Sequence, residues 1–352
     1  MGFHRTIPFP LLLLQLGAVL ILLLSLWKST AAHTLTKSEV MALVLLLLFP
    51  LIFIVPLPGV SLDWLPGRDQ YADAPALIGQ NPPDRDLTLS IYPLETESVW
   101  LTFLLPVAVF VVTRRLPHHH LYPLILLLMA IAGVQAALGL IQFGSGPEGF
   151  RYLRFIHTYL GSHAGTGTYT NHNHLAGLIE MVLPITFALF FYSLGRDRQR
   201  SRNRRRGAFL LSIFRNHKTF IYSALILLLI SGMIFTRSRT GIALTILAVL
   251  AVTFGFGRRI GGNNVYGVSG TIITFVVGIG IAAGLAPILD RFAFTDLMED
   301  HRWTVFSATL DGIRDLFPPG SGPGAYPDIF HAFQPIELGS YFVNHAHNDY
   351  LE

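Results

Sequence analysis

Residues 121–143 read LYPLILLLMAIAGVQAALGLIQF, 23 consecutive positions without an Asp, Glu, Lys or Arg. A helix that crosses about 30 Å of hydrocarbon needs roughly 20 mostly apolar residues, so this stretch predicts a membrane span. Runs of the same kind lie at about 9–27, 40–57, 95–113, 174–194, 219–236, 240–257 and 268–289. Together they predict an all-α polytopic membrane protein with eight spans. The composition of the 352-residue chain agrees: 52% hydrophobic, 13% charged, mean hydropathy +0.52. A soluble enzyme, a nucleic-acid binder inferred from the pI of about 9.4, and a disordered tail protein are excluded together, because so few charges cannot cover a soluble surface. The absence of cysteine excludes disulfides, thiolate chemistry and cysteine-held metal centres.

Lys and Arg in short loops set the orientation. Segment 195–218 carries Arg196, Arg198, Arg200, Arg202, Arg204, Arg205, Arg206, Arg215 and Lys218 against one acid, Asp197, so this basic loop is expected in the cytoplasm. Parity then places Arg114-Arg115 and Arg258-Arg259 inside. It places 58–94, 144–173, the 236–240 turn and 290–352 outside. The N-terminus also falls outside, opposed by Arg5 and supported by Lys28 and Lys37. Leu26-Trp27-Lys28 is a poor cleavage site, so the first run reads as a retained span and not a leader peptide. With no internal repeat, heptad or low-complexity linker, 1–352 reads as one membrane domain. Of its long outer loops, 290–352 holds helix-like stretches such as 302–316, and 58–94 is rich in Pro and Asp and irregular. The chain closes on His345-Ala346-His347-Asn348-Asp349-Tyr350-Leu351-Glu352, which resembles the opening turn of a further helix, so a C-terminal truncation is expected.

Three outer clusters could carry chemistry. In Phe235-Thr236-Arg237-Ser238-Arg239-Thr240-Gly241 two arginines sit where the positive-inside bias disfavours them. Guanidinium forks at a helix start bind phosphate oxygens; the plainer alternative is a pair snorkelling to water. In Gly165–Glu180, the run Thr170-Asn171-His172-Asn173-His174 could line a sugar pocket, or Asn173 could simply cap the fifth span. Glu180, two turns into that span, needs an internal partner under either view. In the terminal cluster, His345 and His347 offer a general base, histidine titrating ordinarily near 6.5. A metal is the competing use of His157, His163, His172, His174, His345 and His347, but no HExxH-type motif is present. His118-His119-His120 reads as a polar cytoplasmic turn. Arg302 precedes Trp303, which would anchor a surface helix at headgroup level, leaving Arg302 as a second outer cation or an ordinary surface residue.

Taken together, these segments resemble the O-antigen ligase and O-antigen polymerase superfamily of bacterial inner-membrane glycan transferases. The resemblance rests on Pro56-Leu57-Pro58-Gly59, Ser90-Ile91-Tyr92-Pro93-Leu94-Glu95-Thr96, Gly167–His174, Ser238-Arg239-Thr240-Gly241 and His347-Asn348-Asp349-Tyr350-Leu351-Glu352, in that order. It implies a multi-pass inner-membrane protein whose long, partly helical loop 290–352 is periplasmic. It assigns Arg239 and Arg302 to the diphosphate of a polyprenyl-linked glycan and His347 to the general base. Arg237, Asn171, His172, Asn173, His174 and Asn348 are then expected to bind substrate, with no metal and no cofactor. His172 stands where relatives commonly carry arginine, which makes one diphosphate contact absent or pH-dependent.

The implied reaction is inverting, metal-independent glycosyl transfer, in O-antigen ligation or in polysaccharide polymerisation for lipopolysaccharide. The donor would be an undecaprenyl-diphosphate-linked glycan and the acceptor a glycan or lipid A–core. Membrane lipids are the other expected partner, and nucleic acid is not one. A transporter or flippase of lipid-linked sugars is the alternative; it predicts inverted repeats and polar groups at mid-bilayer, whereas these arginines and histidines gather at one face.

Overall fold

The computed structural model of the chain describes residues 9–27, 34–57, 65–68, 88–145, 164–200, 217–260, 297–339 and 342–346. Seven helices coincide with seven of the predicted spans: α1 Phe9–Trp27, α2 Lys37–Ile52, α3 Pro93–Arg115, α4 His118–Ser145, α5 His172–Arg200, α6 His217–Thr236 and α7 Arg239–Ile260. Segment 290–352 contributes α8 Leu297–Leu316, α9 Tyr326–Phe333 and a short 3-10 turn, Ile336–Leu338. The eighth predicted span, 268–289, and most of the basic loop lie outside the described residues. Every regular element among the described residues is helical. Pro93–Arg115, His118–Gly144, His172–Ser193 and His217–Thr236 are each long and apolar enough to cross a bilayer. The chain is a multi-pass membrane protein.

Several helices outrun their apolar stretches. Hydrocarbon requires apolar side chains only where it is present, whereas backbone hydrogen bonding continues into polar sequence. Arg114 and Arg115 therefore end α3, and the histidine triplet opens α4 instead of forming a turn. Helix α2 stops at Ile52, short of the predicted 57, and Phe53 and Ile54 close a turn onto Pro50 and Leu51. Pro56 lies just ahead and disfavours helix at the residue before it.

The chain divides into two compact units, 1–121 with 295–352, and 122–294. In the first, α1 and α2 pack on α3. Thr36 starts α2 with a capping box: its hydroxyl accepts from the Glu39 N–H, and the Glu39 carboxylate accepts from the Thr36 N–H at 2.8 Å. The same carboxylate takes Arg114 at 2.7 Å. At the opposite end the Ser90 N–H donates to the Phe53 carbonyl at 2.8 Å. Helices α2 and α3 are therefore antiparallel, with the basic end of α3 beside the start of α2. Helices α8 and α9 form a hairpin around Val305, Ala308 and Phe330, with a Thr309–Tyr326 hydroxyl pair at 2.9 Å. Trp303 is 73% exposed, so the hairpin leaves it uncovered.

In the second unit α5 packs against both α6 and α7, and its own Ile179, Leu183, Phe187, Phe190 and Phe191 are wholly buried. Lipid tails are as apolar as leucine, so small residues that let backbones approach decide such packing. A Cβ on Gly232 would lie 2.7 Å from that of Ala136, and one on Gly241 2.7 Å from that of Ala176. The helix ends sort into two levels. Tyr122 meets Tyr222 and Ser193 meets Thr219 at one end; the rings of Phe143 and Phe235 meet 4.4 Å apart at the other.

Candidate anion and glycan site

The second end of unit two brings three sequence segments together. Between α6 and α7, Ser238 caps α7: its hydroxyl accepts from the Gly241 N–H at 3.2 Å, and its own N–H donates to the Thr236 hydroxyl. Arg237 adopts φ 57, in the left-handed region that costs a non-glycine residue about 1 kcal/mol or more. Its guanidinium lies 5.4 Å from the centre of the Phe143 ring, a cation–π contact. Arg239 occupies the first position of α7. A cation there opposes the helix dipole by about 0.3–1 kcal/mol, so helix stability does not explain its presence, whereas an anion would suit an arginine at a helix N-terminus.

The segment before α5 is anchored from α4. Gln142 accepts through its side-chain oxygen from the Thr166 and Gly167 N–H groups, at 3.0 and 2.7 Å, and its amide NH2 donates to the Gly167 carbonyl at 2.6 Å. Two turns earlier Gln135 accepts from the Thr168 N–H and donates to the Thr168 hydroxyl, both at 2.8 Å. Gly165 lies so close to α4 that a Cβ would sit 2.6 Å from the Gly139 carbonyl oxygen, and its N–H donates to Phe235 at 2.9 Å. That bond places the loop beside the Arg237 turn. Asn171, not Asn173 as the sequence suggested, caps α5, its side chain accepting from the Asn173 N–H at 2.8 Å. Asn171 is the residue preceding the first helical one, so only its side chain reaches back over the open amides.

Helices α5 and α7 run parallel, since both are antiparallel to α6, and Ala176 meets Gly241 one turn inside each. Two helix N-termini therefore open side by side, with Arg237 and Arg239 on one and Asn171, His172, Asn173 and His174 on the other. Asn173 and His174 are exposed and His172 is half-buried; the His174 ring lies 6.3 Å from that of Tyr169. Glu180 is half-buried, and no described residue bonds its carboxylate, so the internal partner expected for it is not found among the described residues.

Residues 224–352, from within α6 to the end of the chain, match the O-antigen ligase family. This match covers a little over a third of the chain and supports a place in the O-antigen ligase superfamily. The matched region includes the Arg237–Gly241 turn, Arg302 and the terminal histidine cluster, and it starts after the Gln-anchored loop. Comparison with curated proteins and with solved structures gives no match. The match suggests glycosyl transfer in O-antigen or polysaccharide assembly.

In unit one, Arg302 lies on α8, while His347 and Asn348 lie outside the described residues. The described chain leads up to them with His345 exposed and Ala346 fully buried. The loop 320–325 between α8 and α9 seats on the start of α3. Ile91 N–H donates to Ser321, Thr96 donates to Pro323, and a Cβ on Gly322 would overlap Ser90, which explains glycine at a φ of 98. Arg68 locks the seat: it donates to the carbonyls of Pro66, Leu89 and Gly320 and is only 4% exposed. Burial pulls its pKa down, yet guanidinium remains charged. The Tyr92 phenol beside this seat is pushed up, first by burial and then by the Asp328 carboxylate. Arg68, Gln135 and Gln142 escaped the sequence reading. The two glutamines left a signal, amides seven residues apart on one helix face inside an apolar run; Arg68 left none. Among the described residues no three His, Asp or Glu side chains converge on a metal-sized site.

Proposed function

We propose that the chain transfers a glycan from undecaprenyl diphosphate to an acceptor hydroxyl at the periplasmic face of the bacterial inner membrane, in O-antigen ligation or polysaccharide polymerisation. The observation that carries this is the pair of adjacent helix N-termini with Arg237 and Arg239 at one of them, an arrangement suited to a diphosphate. In this reading Arg239 and Arg302 neutralise the diphosphate as it leaves. His347 removes the hydroxyl proton, the acceptor oxygen bonds to the anomeric carbon with inversion, and the bond from that carbon to the diphosphate oxygen breaks. The leaving group is already anionic, so cations supply the main stabilisation. The acceptor is a glycan or lipid A–core.

The test is transfer by purified protein from a lipid-linked glycan. Arg239→Ala and Arg239→Lys each lower the rate about 30- to 1000-fold, equivalent to roughly 2–4 kcal/mol, because lysine keeps the charge and loses the planar fork. Near-normal transfer by the lysine variant removes the diphosphate role. In the same assay His347→Ala abolishes the acid limb of the pH profile along with most of the rate, and EDTA has no effect; chelator-sensitive transfer refutes the metal-independent mechanism.

A further inference from the structure

The loop anchored by Gln135 and Gln142 lies deeper than a surface loop. Gln135 is nine residues before Gly144, where the α4 span ends, and at 1.5 Å per residue this is about 13 Å below that end. Thr168 is bonded to Gln135 at that level, while Gly167 is held by Gln142 nearer the end. Irregular backbone at membrane depth persists only when buried in protein or lining water. Here the buried part is accounted for: Gly165, Thr166 and Gly167 are covered, and their polar groups are met by Gln142 and Phe235. Thr168 is different. It is exposed, and both of its bonds to Gln135 are exposed with it. That pair of bonds leaves over the Thr168 hydroxyl hydrogen and the second Gln135 amide hydrogen, which would cost free energy facing hydrocarbon, and a lipid-facing position there calls for an apolar residue, as at neighbouring Val134, which is 60% exposed.

We propose that Gln135 and Thr168 line a water-filled recess, entered from the end of unit two that carries the Arg237 turn, and that the recess receives a sugar ring. The ligand class follows from the lining. Gln135 and Thr168 each offer a donor and an acceptor and neither carries charge, which matches the alternating donors and acceptors of sugar hydroxyls. A phosphate would call for the cations, and those lie on the α7 side. The assignment of a sugar rests on the proposed glycan transfer; the recess itself does not.

The chain contains no cysteine, so single thiols can be placed in the otherwise native protein in sealed vesicles. A membrane-impermeant, charged thiol reagent should label Thr168→Cys and label Val134→Cys roughly 100-fold more slowly, since a reactive thiolate does not form in hydrocarbon. Silence at both positions, or equal labelling at both, overturns the recess. In a second arm, galactose, N-acetylglucosamine or rhamnose at tens of millimolar is added before the reagent, with inorganic pyrophosphate in parallel. Slowing of Thr168→Cys labelling by at least one sugar supports the ligand. Slowing by pyrophosphate alone, or by none of the four, overturns the sugar assignment. A protein that labels and is protected by sugar but transfers no glycan refutes the proposed function and leaves the recess standing; one that transfers glycan without labelling does the reverse.

Discussion

Unit one seats its loop 320–325 with an arginine, whereas unit two seats its loop 164–168 with two glutamines. Arg68 is a pure donor and collects three carbonyl oxygens, one of them at Gly320, just past the C-terminus of α8. The end of a helix is rich in carbonyls and carries partial negative charge, so a buried cation is compensated there without a carboxylate. Gln142 and Gln135 work inside a membrane span, where a charge would cost several kcal/mol. A neutral amide avoids that and, being donor and acceptor at once, satisfies N–H and C=O groups of one loop together. The same task, pinning irregular backbone to a membrane helix, is therefore solved by a cation outside the apolar spans and by amides within one.

The contrast is broken most forcefully at Arg68. Arg68→Ala leaves the half-buried carbonyls of Leu89 and Gly320 without donors and should destabilise unit one by about 2–4 kcal/mol. The loss would be seen as a lower midpoint in thermal unfolding of detergent-solubilised protein and as cleavage near residue 320 by added protease. Arg68→Lys should restore little, because one ammonium cannot reach three carbonyls with the same geometry. Full recovery with lysine would show that charge alone holds the seat.

In unit two the expected losses are smaller and graded. Gln142→Leu strands two N–H groups and a carbonyl in half-buried surroundings, for about 2–3 kcal/mol. Gln135→Leu strands one exposed N–H that water in the recess can rescue, for roughly 1 kcal/mol or less. The two unfolding midpoints compared directly provide the measurement, and equal losses would mean that Thr168 is as dry as Thr166.

The smallest effect belongs to the half-buried Glu39–Arg114 pair at the other end of unit one. The Arg114 guanidinium, aided by the Thr36 N–H, holds the Glu39 carboxyl down at about 2 from an ordinary 4.5. A lowered carboxyl pKa stabilises the folded state above 4.5, and that contribution fades as pH falls from 4.5 toward 2. Glu39→Gln should therefore lower the unfolding midpoint slightly at pH 7 and approach the unmodified protein at the bottom of that window. A mutational difference that grows on acidification would contradict the pairing.

Much of this was legible in the chain, and the rest was not for identifiable reasons. Hydropathy over 121–143 or 219–236 is a local sum, so it located α4 and α6 to within a few residues. The basic segment 195–218 set an expected orientation; the Glu39–Arg114 pair within unit one and the Tyr122–Tyr222 pair within unit two show which helix ends lie together in each unit. Composition flagged the 237–241 turn and the 170–174 run as polar islands. It could not say that Asn171 and not Asn173 caps α5, because that depends on which residue first takes up helical geometry. The sequence by itself determined the membrane class and where seven of the helices lie, since each is set by how neighbouring residues partition between water and hydrocarbon. The tertiary structure alone decided that Arg68 meets Gly320, 252 positions away, that Gln135 and Gln142 hold the loop before α5, and that Gly241 lets α7 start against α5. Such pairings follow from which backbone groups are left without partners once the helices pack, a property no local stretch contains.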